Sequence, residues 1–415
     1  MSKIRTAGRT GKPSFKIWML LAVWLVCLLY VLFQGGKTSF MLLSMVTLFG
    51  VYLWLGAFSG VRRVRGRRHL VSGPGYSDLL HAGDQVHVQL DMQIPGFMPL
   101  PYMIVRDVLK RHTGESWSFE ESVIPNMKGK GELTFQTPPL ERGLYHFAAT
   151  ESVTEDIFGL MEHKGRFAAP GEFRVLPRSV FIPYWHLFDR NSRLSGRQTT
   201  LTKSRRETTQ INGVRDYVYG DRLSRIHWNA TAKTGTWKSK EFEHESIPKI
   251  MLVLDTIAEH YTRAEQFELA VSTTASLLDY GTRERLGVGL CTAGDKTSLF
   301  APSEGMSDRQ RMLHHLVDLS MQKGGGLQEQ LENQLRLFPQ GSFFVLISPL
   351  TGDRALQVLR WAESRGFTPC HIGIQTAESQ TNSEWTAMLR MRGIKSFSVN
   401  QLQELPTVMG GGTIS

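Results

Sequence analysis

Two apolar runs near the start of the chain limit what it can fold into more than any other feature. Residues 15–33 (FKIWMLLAVWLVCLLYVLF) carry one charge, at the edge, and residues 40–58 (FMLLSMVTLFGVYLWLGAF) carry none. As helices, each would reach roughly 28 Å, about the thickness of a bilayer's hydrocarbon core. Trp18, Trp24, Tyr30, Tyr52 and Trp54 add aromatics of the kind that favour membrane interfaces, though some fall mid-run. The connector, residues 34–39, is short, so the two helices would form a transmembrane hairpin over 15–60.

The charge distribution orients that hairpin. The chain has a formal net charge of +10, yet residues 1–69 alone hold eleven Lys and Arg and no acid, which leaves the remainder at −1. A neutral remainder gives no broad basic face for DNA or RNA, so no nucleic-acid partner is expected. Four positive charges lie in a basic N-terminus of residues 1–14, and a fifth, Lys16, stands at the edge of the first run. Arg62, Arg63, Arg65, Arg67 and Arg68 follow the second. An excess of basic residues at both ends predicts a two-pass protein of the cell membrane with both termini cytoplasmic. The same arginines could also meet anionic headgroups. A cleaved signal peptide fits poorly, because a second span follows at once and no A-x-A site is present. Cys27, Cys291 and Cys370 show no C-x-x-C spacing, which excludes a disulfide scaffold and a structural zinc site.

Residues 70–180 read as β. Val86, Val88, Leu90, Met92 and Ile94 alternate with polar residues, the period-2 pattern of a strand with one wet face. Pro and Gly at 95, 96, 99, 101, 129, 131 and 143 punctuate further short strands, which predicts a small β-sandwich with nothing catalytic in it. Residues 181–248 read as a linker and a dense polar segment, the stretch 189–212 being loop-like. From 249 to 402 continuous apolar runs (250–254, 286–291, 343–347, 370–374) alternate with amphipathic helical stretches. That texture predicts a doubly wound parallel sheet, with Asp255, Thr292 and Ser348 at the carboxyl ends of strands, where ligands bind. The predicted class is therefore α/β plus β.

Several motif-like strings fail on context. Gly36-Lys37-Thr38 lies between two apolar runs and lacks the earlier glycine of a phosphate loop. His244-Glu245 meets Pro248 where a second metal-binding histidine would stand. Asn229-Ala230-Thr231 is a sequon irrelevant in a cytoplasmic segment. His314-His315 reads as helix surface.

The densest segment is 213–245, GVRDYVYGDRLSRIHWNATAKTGTWKSKEFEHE. Gly220 permits a tight turn, and Asp221 is placed to cap a short helix. Leu223, Ile226 and Ala230 would share one face, with Trp228 as a bulky anchor. Arg215, Asp216, Asp221, Arg222 and Arg225 mix both signs, which suits an ion-pair network better than a phosphate site. A polar edge strand would follow from 237. Three roles fit: a structural brace, a docking surface for a partner protein, and a catalytic centre using Asp221 with His227 as acid and base.

Gly213, Arg215, Tyr217, Gly220-Asp221, Arg225, Ile226, Trp228, Ala232 and 238–243 together resemble the signature of the domain-of-unknown-function family 58. Arg142-Gly143-x-Tyr145, Asp156-Ile157-Phe158-Gly159-Leu160 and Val175-Leu176-Pro177-Arg178 resemble the same family, and the likeness runs from about residue 20 to 400. Ile157 stands where proline is usual, and Lys233 where arginine is usual. The resemblance implies a membrane-anchored β-sandwich followed by a von Willebrand factor A-like domain over 249–402. It also implies a MoxR-type AAA+ ATPase as partner, and a transglutaminase-like membrane protein as a second. Factor A domains often hold Mg²⁺ through an Asp-x-Ser-x-Ser loop, oxygen ligands suiting a hard cation. Here the loop is Asp255-Thr256-Ile257-Ala258-Glu259, and both hydroxyls are replaced. The expectation is a metal-free domain, with Asp255 and Glu259 the carboxylates left to hold an ion differently. Cofactors and catalytic residues are expected to be none. The expected function is a membrane-anchored adaptor whose docking surface or brace is built by Arg215, Tyr217, Gly220, Asp221, Arg225 and Trp228. The alternatives are an enzyme acting near the membrane, and a metal-dependent binding module.

Overall fold

Val86, Val88, Leu90, Met92 and Ile94 are all buried, and the polar residues between them are not, so the period-2 pattern does set the two faces of a strand. The structure, a computed structural model, describes residues 13–56, 58, 60–71, 79–96, 100–188, 207–244, 249–334, 337–375 and 382–410. Residues 1–12 of the expected basic N-terminus (1–14) and residues 189–206 of the stretch expected to be loop-like (189–212) lie outside them. The chain divides into two units, Met1–Leu176 and Pro177–Ser415.

The first unit opens with helices α1 (Pro13–Gln34) and α2 (Lys37–Gly56), joined through Gly35 and Gly36. The stretch Lys37–Arg63 is long and apolar enough to cross a membrane; Trp18–Gln34 is a shorter apolar helix by the same measure. The helices touch, and Trp24 Nε1 donates to Thr47 Oγ1 at 3.0 Å. A 3-10 turn, Val61–Arg63, leads into β1 (Arg65–Val71) and β2 (Leu80–His81). There follow β3 (His87–Gln93), β4 (Met103–Arg111), β5 (Ser116–Val123), β6 (Lys130–Gln136) and β7 (Gly143–Phe147). The unit ends with β8 (Thr150–Glu155), β9 (Glu162–Phe167) and β10 (Glu172–Leu176). One sheet has the order β1-β3-β6. The other runs β2-β10-β7-β4-β8-β9, with β5 beside β4. Leu90 and Met92 of the first sheet pack on Met103, Val105 and Phe167 of the second, which makes a sandwich.

The sandwich begins before residue 70. Arg65, Arg67 and Arg68 belong to β1, so the basic run after the second apolar segment is not one exposed string. Arg68 turns inward with its side chain 1% exposed. It pairs with Asp107 at 2.6 Å, donates to Ala169 O, and stacks 3.7 Å over the Phe147 ring. Burial pulls its pKa down, with Asp107 opposing. In the Arg142-Gly143-x-Tyr145 motif, Tyr145 is fully buried, and its hydroxyl donates to Glu141 O at 2.8 Å. Burial pushes that phenol up to about 12. These motif residues are pinned inside the fold.

The second unit holds β11 (Glu207–Asp216), α3 (Trp228–Thr234) and β12 (Lys238–His244). An alternating set follows: β13 (Lys249–Asp255), α4 (Ala264–Arg283), β14 (Gly287–Ala293), β15 (Ser298–Ser303), α5 (Met306–Asp318), α6 (Leu327–Glu332) and β16 (Phe343–Ser348). It closes with α7 (Gly352–Ser364), β17 (Thr368–Ile374), α8 (Asn382–Met391), β18 (Lys395–Val399) and α9 (Leu405–Met409). The sheet order is β15-β14-β13-β16-β17-β18. β13, β14, β16, β17 and β18 are parallel, and the apolar runs of β13, β14 and β16 are buried on both faces. Met251, Val253, Phe344 and Leu346 pack with residues of α6, α7 and α8, while α4 covers the opposite face.

Three expectations need correction. The sheet is not wholly parallel: β15 runs antiparallel to β14 along one edge. Its sequence, SLFAPS, lacks the apolar run that marks a central strand. Residues 207–212 are strand rather than loop, because β11 takes its hydrogen bonds from β12. Residues 181–187 are not linker. Ile182, Trp185 and Leu187 are buried, Trp185 meets Tyr280 at 5.9 Å, and Val180 N donates to Ser276 Oγ at 3.1 Å, so this stretch is fastened to α4.

Candidate functional site

The carboxyl end of the parallel sheet brings Asp255 and Ser348 together. Asp255 is fully buried at the last position of β13, and Ser348 closes β16 beside it. Ser348 Oγ donates to Asp255 Oδ2 at 2.7 Å. His260, on the 3-10 turn Ala258–His260, places Nδ1 at 2.7 Å from the same oxygen. Asp255 Oδ1 accepts from Ile257 N at 3.0 Å, and the Asp255 carbonyl accepts from the Tyr261 hydroxyl at 2.6 Å. Burial, then the Asp255 charge, drives the Tyr261 pKa well above its ordinary value. Thr292 Oγ1 pairs with His315 Nε2 at 2.9 Å. Burial lowers the His315 pKa, with Asp318 opposing. Of the two adjacent histidines, then, only His314 is exposed helix surface.

This arrangement is a closed knot. Both carboxylate oxygens of Asp255 already have donors, so a cation would have to displace them. Glu259 is exposed on the 3-10 turn. Among the described residues no three His, Cys, Asp or Glu side chains gather as metal ligands. Nor is the trio a nucleophile relay. Ser348 donates to the carboxylate and not to His260, whereas activation of a serine needs the base on its hydroxyl. Cys291 and Cys370 are fully buried, and burial pushes both thiols up to about 12, so neither is a thiolate at neutral pH. His260 was absent from the sequence reading; its place five residues after Asp255, across a 3-10 turn, is the signal that would have found it.

The β11–β12 arm differs. Arg215 Nη2 donates to Asp221 Oδ1 at 2.8 Å, and its Nη1 to Asp216 O at 3.1 Å. Asp221 Oδ2 accepts from Val218 N at 3.2 Å, and the Tyr217 hydroxyl donates to Asp221 O at 3.2 Å. Gly220, at φ +108°, closes this turn in a conformation that a side chain would strain. The Arg215 guanidinium, then Val218 N, hold the Asp221 pKa below the usual carboxylate range. Lys238 pairs with Asp216 at 2.5 Å. The mixed charges are thus an ion-paired turn. Arg225 lies half-buried at the end of the 3-10 turn Leu223–Arg225.

Asp221 does not cap that turn: its carboxylate folds back on Arg215 and Val218, and no side chain caps the 3-10 helix. Asp221 and His227 do not form an acid/base pair either. His227 caps α3, its Nδ1 accepting from Ala230 N at 3.2 Å. Nor is Trp228 an anchor. Ile226 is buried at 1%, whereas Trp228 is 63% exposed, Leu223 66% and Trp237 53%. The Trp237 ring lies 6.1 Å from Trp228 and 5.8 Å from Tyr217. Val214, Val218 and Tyr219 are exposed as well. Trp237, Val218 and Tyr219 carry no sign of this exposure in the sequence, because they sit in the turns that flank β11 and β12, where no periodicity tells an exposed apolar residue from a packed one.

One family match begins within this arm. The family model described as "Protein of unknown function DUF58" matches residues 213–372. The "Uncharacterized protein YeaD" of Bacillus subtilis (strain 168) is 25% identical over 292 residues, 69% of this chain and 70% of its own length. Both support the DUF58 resemblance. Among solved structures, an aerotolerance-related membrane protein from Bacteroides fragilis is 14% identical over 40% of this chain and 98% of its own, with a TM-score of 0.28. The proximal thread matrix protein 1 of the mussel byssus is 15% identical over 40% of this chain and 47% of its own, with a TM-score of 0.29.

Proposed function

We propose that this chain is a non-enzymatic, membrane-anchored adaptor that offers the β11–β12 arm to a partner protein. In this reading α1 and α2 cross the bilayer as a two-pass hairpin with both termini cytoplasmic. The α/β sheet serves as a von Willebrand factor A-like module without a metal. One observation carries the reading: Trp228 and Trp237, with Val218, Tyr219 and Leu223, stand exposed on a turn that ion pairs hold in shape. Exposed apolar clusters rimmed by charge mark docking surfaces, and tryptophan and tyrosine dominate the energetics of such contacts. Building a fixed turn under exposed rings lowers the entropy lost on docking. The resemblance supplies the partner, a MoxR-type AAA+ ATPase, and a transglutaminase-like membrane protein as a second candidate.

The test is binding of the host's purified MoxR-type ATPase to the full chain in nanodiscs, with ATP and with ADP. Nucleotide-dependent binding is expected, and Trp237→Ala should weaken it by about 2 kcal/mol, roughly 30-fold, as truncation of a hot-spot tryptophan does. Equal binding by wild type and by Trp228→Ala/Trp237→Ala would remove the arm as the docking surface.

A further inference from the structure

The turn between β8 and β9, residues 156–161, sends its two largest apolar side chains outward: Ile157 is 71% and Phe158 60% exposed. Both residues reach α2. Phe158 meets Phe49 edge-on at 5.0 Å between ring centroids and Tyr52 at 6.0 Å, and Ile157 N–H donates to the Tyr52 hydroxyl at 3.4 Å. Phe49 lies about two helical turns before the end of α2 at Gly56, roughly 10 Å along its axis. The tip of a sandwich turn is thus level with residues inside the apolar run.

Apolar side chains alone do not suit a turn to lipid. Backbone N–H groups left bare there are strongly disfavoured, because lipid offers them no acceptor. In this turn every N–H from 157 to 161 has an acceptor. Ile157 uses Tyr52. Asp156 Oδ1 takes Phe158 at 2.7 Å and Leu160 at 3.3 Å, Asp156 O takes Gly159 at 2.9 Å, and Asp156 Oδ2 takes Met161. Gly159, at φ +64°, lets the chain close around that one carboxylate. The joint behind the turn is tight. A Cβ on Gly165 of β9 would fall 2.0 Å from the Val61 carbonyl oxygen, so β9 lies directly against the 3-10 turn that carries exposed Arg62 and Arg63. On α2 itself Leu48 and Trp54 are exposed, and Phe58 just beyond it is exposed too, so the apolar tip continues an apolar helix surface.

We infer that Ile157 and Phe158 form a wedge that enters the lipid beside α2, with Arg62 and Arg63 meeting headgroup phosphates, so that the sandwich is seated on the bilayer and not merely tethered to it. The inference rests on the reading of α2 as a membrane span. The occupant is lipid, because the tip extends a helix surface that the bilayer would already cover, and its backbone donors are satisfied without a partner.

A genetically encoded nitroxide, placed in the full chain at 158, 157, 48 or 113 and reconstituted in phosphatidylcholine–phosphatidylglycerol nanodiscs, tests this by collision with oxygen and with a water-soluble nickel chelate. Positions 158 and 157 should favour oxygen to the same degree as position 48, while the exposed position 113, in the turn after β4 and at the opposite end of that strand from Tyr102 and Glu155, should favour nickel. A nickel-favoured label at 158 and 157 with an oxygen-favoured label at 48 overturns the wedge and leaves the span intact. Labels shielded from both reagents at 157 and 158 mean that another protein covers the tip, which overturns the lipid assignment. Nickel access at 48 as well overturns the span and the wedge with it. Should the bulky label at 158 prevent folding, position 157 carries the test alone.

Discussion

Two aspartates at sharp turns of the second unit meet opposite fates. Asp255 is fully buried and saturated by Ser348, His260 and Ile257 N. Asp221 is held by Arg215 and Val218 N at the base of an arm from which Tyr219, Trp228 and Trp237 face solvent. The carboxyl end of a parallel sheet is where such folds bind ligands. Here that end is filled from within, and the unused surface lies on the antiparallel arm. The difference shows that topology nominates a site, while the partners of its polar atoms decide whether anything is left to bind.

The largest expected effect breaks the closed side. Asp255→Ala leaves the Ser348 hydroxyl, His260 and the Ile257 N–H without their acceptor in a fully buried place, and should lower stability on the order of 3 kcal/mol. Thermal unfolding of the full chain in detergent, followed by tryptophan fluorescence, reads it as a clear drop in midpoint. Ser348→Ala, which removes one donor and leaves the carboxylate its other two, should cost about 1 kcal/mol. Equal midpoints for Asp255→Ala and wild type would show that the knot does not hold the sheet end together.

The second effect is a pH dependence confined to the same side. His371 is fully buried in β17, with Trp385 Nε1 donating to its Nδ1 at 3.4 Å. Burial lowers its pKa from 6.5 to about 4, with a backbone bond to Ser348 opposing. The unfolded chain therefore takes up a proton near pH 6.5 that the folded chain refuses until near pH 4. The stability contributed by neutral His371 is complete above pH 6.5 and is lost as pH falls toward 4, on the order of 3 kcal/mol over that window. Asp221, whose pKa is lowered, loses its contribution only below the usual carboxylate range. Unfolding midpoints at pH 7 and pH 5 should thus diverge in wild type, and the divergence should shrink in His371→Gln, with His315 and His163, both lowered by burial, carrying what is left. A divergence unchanged in His371→Gln would assign the pH dependence to other groups.

How much of this was legible beforehand follows from which pattern each element carries. The buried parallel strands and β3 were readable, because apolar runs and strict alternation are direct consequences of burial on two faces or one. β15 was not, since an edge strand with polar residues lacks both signals. Trp185 and its neighbours read as linker because their burial depends on Tyr280 and Ser276, about a hundred residues away in sequence. Asp255 and Ser348 could be placed at one sheet end from topology alone, but that they consume each other depends on rotamers. In the arm the mixed charges suggest one network, and of them Arg215 pairs with Asp221 while Asp216 pairs with Lys238; Trp228 reads as an anchor yet is exposed. A large aromatic in a helical pattern is usually core, and nothing local says that this helix has no core to face.

The smallest expected effect sharpens the comparison most. Trp228→Ala removes a large side chain, and in a core that would cost about 3–5 kcal/mol. On the arm its ring is 63% exposed, and its aromatic neighbour Trp237 is 53% exposed. The substitution should therefore shift stability by no more than about 0.5 kcal/mol, as surface changes do. The α3 cap at His227 and the Arg215–Asp221 pair do not involve the indole and should survive. Hydrogen exchange at Val218 and Asp221 amides, both bonded inside the turn, checks that survival directly. Unchanged protection there, with an unchanged midpoint, leaves the indole with no structural task and its exposure to be explained by a partner. A large loss of stability would instead make Trp228 a brace, and would move the arm to the closed side of the comparison.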